Sequence, residues 1–157
     1  MYALASLSKN NFLGSVSFFC PAFNEEDNLE KVIKSVVPIL QEVCSDFEII
    51  IIDNCSNDRT PQIADELAKN IPEIRVIHHA ANREYGGALQ TGFRNAKNEV
   101  VVYIDSDNQY DFNDFKKMIP YILNFDIVVG YRKKRCDTNY RLFQSKVFNS
   151  IINLLFV

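Results

Sequence analysis

The chain has 157 residues, 47% of them apolar and 24% charged, with a net charge of −3. That length supports one domain with a sizeable core, and that charge excludes a general basic footprint for nucleic acid. The four cysteines (Cys20, Cys44, Cys55, Cys136) form no C-x-x-C and the two histidines are adjacent, so no zinc pattern is available; the cysteines read as reduced thiols of a cytosolic protein.

Residues 1–14 are polar and irregular, a poorly ordered lead-in without the apolar core of a signal peptide. Residues 16–20 read as a first strand, stopped by Pro21. Asn24 is a candidate N-cap, and the acids Glu25, Glu26 and Asp27 suit the positive end of a helix. Leu29, Val32, Ile33, Val36, Val37 and Leu40 recur at helical spacing, which predicts an amphipathic helix over 25–44. Residues 47–53 read as a second buried strand ending in Asp53, followed by a polar turn over 54–58. Thr60-Pro61 opens a second helix that Asp58 is placed to cap, with Ile63, Ala64 and Leu67 inward. A third, shorter strand spans 74–78; His78 and His79 read as its end and not as ligands.

Gly86-Gly87 closes a loop over 82–87, either as a simple turn or as a close approach to a ligand, and a helix follows over 88–96. Val100-Val101-Val102-Tyr103-Ile104 reads as a strand buried on both faces, ending in Asp105-Ser106-Asp107. A helix is predicted over 113–123, with Phe115, Met118, Ile119 and Ile122 inward, and a fifth strand over 125–131. A basic loop occupies 132–140, and 141–157 reads as an apolar helix. No run of about 18 apolar residues is present, so nothing here is predicted to span a membrane.

Strands alternating with helices predict an α/β fold: a mostly parallel sheet with right-handed crossovers and helices on both faces. Polar groups gather where strands end: Asn24 and Glu25, Asp53 to Asp58, Asp105 and Asp107, Arg132 and Arg135. In open α/β sheets that edge binds ligands. Acids at i and i+2 on extended chain point the same way. Asp105 and Asp107 can therefore share one divalent cation with a phosphate, or form a polar turn that caps the next helix. The G-x-G-x-x-G and Walker patterns are absent, which argues against a dinucleotide dehydrogenase and a P-loop NTPase. A nucleotidyltransferase shares the layout but wants a Gly-rich basic loop after the first strand, unlike Pro21-Ala22-Phe23-Asn24.

Four segments in order resemble the motifs of inverting, family 2 glycosyltransferases of the GT-A (Rossmann-like) fold. Pro21-Ala22-Phe23-Asn24-Glu25 is similar to P-A-Y-N-E, and 48–60 to E-I-I-V-V-D-D-G-S-x-D-x-T. Residues 82–92 are similar to N-x-G-x-G-x-A-x-x-x-G, and 105–111 to D-x-D-x-Q-x-x-P. Gly130-Tyr131-Arg132 and the Arg141 to Ser145 segment resemble G-S-R and R-x-x-x-S of the dolichyl-phosphate mannosyltransferase and polyprenyl-phosphate glycosyltransferase group. Asn54-Cys55 stands where D-G is usual, Glu84 replaces a Gly, and Asn113 stands near the usual Pro.

The resemblance implies a nucleotide-sugar-binding domain over 15–157, with an acceptor-side segment missing beyond Val157. It implies transfer of a sugar from a GDP- or UDP-linked donor, with inversion, to a lipid-phosphate acceptor. The alternative is a nucleotide-sugar-binding fragment without turnover. Asp105 and Asp107 would hold Mg²⁺ or Mn²⁺ on the diphosphate, with Ser106, Gln109, Gly86 and Gly87 beside it. Asp53 would accept a hydrogen bond from the base, and Asp58 with Pro21, Ala22, Phe23, Asn24 and Glu25 would shape the nucleotide pocket. Arg132, Arg141 and Ser145 would hold the acceptor phosphate, Arg132 close to the chemistry. A lipid acceptor places the protein at the cytoplasmic face of a membrane. With its packing partners absent, the apolar tail over 147–157 would favour homo-oligomers or peripheral lipid contact.

Overall fold

The computed structural model describes residues 13–130, together with 147, 148 and 150. The chain divides into two compact units, Met1–Asp126 and Ile127–Val157. In the second, residues 127–130 are irregular, and Val147, Phe148 and Ser150 are helical and exposed.

The first unit runs β1 (Leu13–Ala22), α1 (Leu29–Val43), β2 (Cys44–Asp53), α2 (Thr60–Asn70), β3 (Ile74–His78), α3 (Glu84–Asn95), β4 (Val100–Tyr103), a 3-10 turn (Phe112–Asp114) and α4 (Phe115–Ile122). The four strands form one parallel sheet in the order β3-β2-β1-β4. The chain therefore steps outward from β1 to β3, then crosses back over β1 to lay down β4. With right-handed crossovers, that reversal puts α3 on the opposite face from α1 and α2.

The period-2 alternation of the strands feeds both faces. Val16, Phe18, Cys20, Ile49 and Ile51 pack with Leu29, Val32, Ile33, Val36 and Leu40 of α1 and with Phe112, Phe115 and Ile119. On the other face Phe19, Ile50 and Ile52 meet Ala88 and Leu89 of α3. Burying each such side chain is worth roughly 1.5–3 kcal/mol, so the larger α1 cluster carries most of the stability. On the α3 face, Ser17 Oγ donates to Glu48 Oε1 (2.6 Å) and accepts from the Lys97 and Asn98 amides, while Arg75 Nε donates to Glu48 Oε2 (2.9 Å). These bonds seat the α3–β4 connection against three strands.

Several expected boundaries move. Pro21 does not stop β1, which runs through to Ala22. A residue in a parallel strand turns its N–H and C=O to the same side. The Pro21 carbonyl faces Ser106, on the β4 side, where the ladder has already ended, so the missing N–H removes no ladder bond. The expected lead-in falls outside the described residues except for Leu13 and Gly14, which belong to β1. β4 is not buried on both faces: as an edge strand it leaves Val101 and Tyr103 exposed, Tyr103 stacking on Phe19 at 5.3 Å.

The fifth strand expected over 125–131 is not seen: residues 125–130 pair with no strand, and Ile127 and Val129 are 82% and 79% exposed. β propensity describes fit to a half-buried pleated surface, and these side chains have none. Tyr131, the loop over 132–140 and most of the helix expected over 141–157 lie outside the described residues.

Gly92 sets how closely α3 approaches the sheet. A Cβ there would lie 2.3 Å from the Phe19 ring, which is fully buried. Overpacking a core costs typically about 1–3 kcal/mol, more than the ~1 kcal/mol that Ala gains over Gly in a helix. Gly92→Ala is expected to lower stability by about 1 kcal/mol net, measured as a reduced urea midpoint with unchanged m-value.

Candidate functional site

The β1–α1 and β2–α2 loops are sewn together by backbone donors and side-chain oxygens. Asn24 N donates to Ser56 Oγ (3.0 Å), Glu25 N to Thr60 Oγ1 (2.8 Å) and Glu26 N to Asp58 Oδ2 (3.1 Å). In return Asn57 N donates to Asn24 Oδ1 (2.8 Å) and Arg59 N to Glu26 Oε2 (3.0 Å). Asn24 is therefore not a helix cap: its φ is 57°, its side chain serves the other loop, and α1 begins only at Leu29. Asn tolerates the left-handed region better than most residues, which suits it to this reversal. Asp58 does serve the start of α2, accepting from Thr60 N at 2.9 Å. Burial works to raise its pKa, but the hydrogen bonds from Thr60 and Glu26 outweigh it and hold the carboxyl below its usual range. Pro21 and Ala22 are buried, whereas Phe23 is exposed at the rim.

Asp53 closes β2 and is only 3% exposed. Its Oδ1 accepts from Ser56 N (3.0 Å) and its Oδ2 faces His78 Nδ1 (2.9 Å), while His78 Nε2 faces Asp65 Oδ1 on α2 (3.1 Å). The hydrogen bond to Asp53, helped by Asp65 and opposed by burial, raises the His78 pKa. Next to it, Asn54 is buried and uses its whole amide. Nδ2 donates to Asn82 Oδ1 (3.1 Å) and Glu84 O (3.3 Å), and Oδ1 accepts from Arg83 N (3.0 Å) and faces His79 Nδ1 (2.8 Å). His79 also faces Thr91 Oγ1 (2.9 Å), and burial followed by the charge of Arg83 lowers its pKa. Both histidines thus sit in the network, although residue type and spacing left them as a strand end. The register that aligns Asp53 with His78 was the signal that could have found the first.

α3 begins at Glu84, four residues earlier than expected, so Gly86 and Gly87 lie in its first turn. A Cβ on Gly86 would meet nothing within 4 Å, which leaves its backbone open to approach. Tyr85 Oη donates to Asp105 Oδ1 (2.8 Å), and burial together with that carboxylate raises the phenol pKa. Ser106 is buried and donates to Pro21 O (2.8 Å), which ties the end of β4 to the end of β1. The two aspartates on either side of it are partly exposed. Asp107 Oδ1 accepts from Gln109 N (3.1 Å). This pair lies where the strand order reverses, the usual crevice of an open α/β sheet.

The carboxylates supply hard oxygen donors, each with one oxygen engaged by a neighbour, and this suits Mg²⁺ or Mn²⁺. Among the described residues no group of three or more His, Cys, Asp or Glu could hold a metal ion. Such an ion would rely on these two acids and on ligand oxygens. Arg132, Arg141 and Ser145 lie outside the described residues. Cys20 is fully buried, which pushes its thiol pKa up to about 12, and Cys44 up to about 11. No helix among the described residues is long and apolar enough to cross a membrane.

The model of the family described as Glycosyl transferase family 2 matches residues 17–155. The chain belongs to glycosyl transferase family 2. It is 32% identical over 141 residues to the undecaprenyl-phosphate 4-deoxy-4-formamido-L-arabinose transferase of Pectobacterium atrosepticum, covering 88% of this chain and 43% of that protein. A transferase of the same name from Pseudomonas fluorescens is 31% identical over 139 residues, covering 85% and 40%. The chain therefore spans about two fifths of the length of these family 2 relatives.

Among solved structures, the mannosyltransferase PcManGT from Pyrobaculum calidifontis, in complex with GDP-Man and Mn²⁺, matches with a TM-score of 0.60 at 22% identity, over 69% of this chain and 32% of that one. TarS of S. aureus in complex with UDP-GlcNAc matches with a TM-score of 0.58 at 20% identity, over 79% and 37%. The fold is thus GT-A-like, as the motifs implied.

The departures from the family 2 motifs have local reasons. Cys55 (φ 66°) and Glu84 (φ 57°) occupy left-handed backbone at the positions where the motifs carry Gly. Asn54, where the motif carries Asp, donates two hydrogen bonds that a carboxylate cannot. Restoring the motif residues should therefore act in opposite directions. Cys55→Gly is expected to gain about 0.5–1 kcal/mol by relieving strain. Asn54→Asp is expected to lose about 1–3 kcal/mol by setting oxygens against the Asn82 and Glu84 oxygens. Urea unfolding of the two variants checks both signs.

Proposed function

We propose that this chain binds a GDP- or UDP-linked sugar with Mg²⁺ or Mn²⁺ at the carboxyl edge, and that the protein transfers the sugar, with inversion, to a polyprenyl phosphate. The observation that carries the reading is the Asp105-Ser106-Asp107 turn. Its middle residue is locked to Pro21, and its two acids follow β4, beside the point where the strand order reverses. Two half-exposed carboxylates two residues apart at a strand end are suited to share a divalent cation with a phosphate. A divalent ion bound there supplies Lewis-acid stabilisation of the departing nucleoside diphosphate.

The remaining roles belong to the protein's own groups. Asp53 accepts from the base. Asp58 and residues 21–25 shape the nucleotide pocket through the loop bonds described above. Gly86, open above its backbone, and Gly87 with Gln109 lie along the diphosphate. Arg132, Arg141 and Ser145 hold the acceptor phosphate, for which the guanidinium fork is well matched. A phosphate acceptor is already ionised, so direct displacement needs no strong general base. The names of the relatives support this class: two act on undecaprenyl phosphate, and solved relatives of the fold carry GDP-Man with Mn²⁺ and UDP-GlcNAc. A lipid-linked acceptor puts the reaction at a membrane surface, the cytoplasmic face in this reading.

The test titrates GDP and UDP in the presence of Mn²⁺, then assays transfer from the matching sugar donor to undecaprenyl phosphate. Asp105→Ala and Asp107→Ala should each weaken metal-dependent nucleotide binding by about 10–100-fold. Metal-dependent binding that survives in both variants would sink the metal-site reading. Binding without transfer would reduce the chain to a donor-binding module.

A further inference from the structure

Resting on the donor reading above, we propose that His78 is a positioning residue for nucleotide recognition. Donating from both ring nitrogens, it keeps the buried Asp53 carboxylate an acceptor for the base and braces it against α2 through Asp65.

The placement comes from sheet register. Asp53 and His78 are paired residues at the carboxyl ends of β2 and β3. The ring lies between two carboxylates, Asp53 Oδ2 at 2.9 Å and Asp65 Oδ1 at 3.1 Å. Ionised carboxylates only accept hydrogen bonds, and a neutral imidazole has one N–H and one lone pair. Only the imidazolium satisfies both contacts; either neutral tautomer sets a lone pair against an oxygen. The charged groups facing the ring are Asp53 from β2 and Asp65 from α2, and both favour the charged form.

The consequence falls on Asp53. It is the one buried carboxylate among the described residues, and burial without a counter-charge drives a carboxyl toward its neutral acid. A protonated Asp53 would present an O–H donor. Uracil and guanine both present a ring N–H, which needs an acceptor. The imidazolium supplies that counter-charge, and with the Ser56 amide it fixes the direction of the carboxylate. Ser56 in turn takes the Asn24 amide on its Oγ, so the same unit fixes the β1–α1 loop of the pocket.

The test compares wild type with His78→Gln, using UDP and GDP with Mn²⁺ and, as a base-free probe, pyrophosphate with Mn²⁺. The expected loss of nucleotide affinity is about tenfold near pH 6. It should shrink as pH rises through the raised pKa of His78, where the wild-type ring itself loses the proton that the variant lacks. Pyrophosphate affinity should stay level. A loss that is absent, independent of pH or shared by pyrophosphate overturns the inference while leaving the donor reading in place. A wild-type chain that binds neither diphosphate overturns both.

Should His78→Gln fail to fold, Asp65→Ala at its exposed position serves instead. It should move the NMR titration of His78 to lower pH and weaken the nucleotide but not pyrophosphate. An unmoved titration overturns the brace.

Discussion

The strand β1 is hydrogen-bonded to a parallel neighbour on each side, and the rest of the molecule follows from that constraint. Three strands must finish at one level, and the chain must cross over β1 to deliver the third. The reversal opens a crevice between β1 and β4 that no crossover helix closes at that level. It also explains the two unequal cores. Two helices and α4 build a thick cluster on one face, and among the described residues α3 covers the other by pressing the bare backbone of Gly92 onto Phe19.

What lies around the crevice is held in place before any ligand arrives. The loops after β1 and β2 satisfy each other's amides with side-chain oxygens, and Ser106 joins the third strand end to the first. Such an edge loses little freedom when a charged ligand docks, and this pre-organisation is what makes fixed dipoles and carboxylates effective. Asp53 is the point where the arrangement is tightest. It joins the β2–α2 loop, the end of β3 and, through His78, helix α2.

Period and residue type were enough to read β1 to β4, α1 to α4, the parallel sheet and the acids at the strand ends, because buried runs such as Ile49-Ile50-Ile51-Ile52 allow little else. The misreadings share one cause: each depended on a partner distant in sequence. Asn24 looked like a cap because Asn57, its actual partner, lies in another loop. Pro21 looked like a strand breaker because the early end of the β4 ladder is a matter of register. Val128 and Val129 had strand propensity, yet residues 127–130 form no strand. His78, His79 and Asn54 were silent because their roles are set by neighbours brought together by the sheet. The motif resemblance singled out Asp53, Asp105 and Asp107 as candidates where, for the last two, residue type alone favoured a polar turn.

The short edge strand carries a kinetic implication. β1, β2 and β3 are joined by successive local crossovers, whereas β4 rests on contacts such as Lys97 and Asn98 with Ser17, 80 and 81 residues apart. Closing so long a loop costs more entropy than closing the others, and only four residues of ladder offset it. The ladder that holds the segment ending in Asp105 and Asp107 is thereby the shortest in the described sheet, and local opening is expected to be easiest there. Occupancy of the crevice by an ion and a phosphate would favour the paired state of β4, so that binding and the stability of this edge are linked.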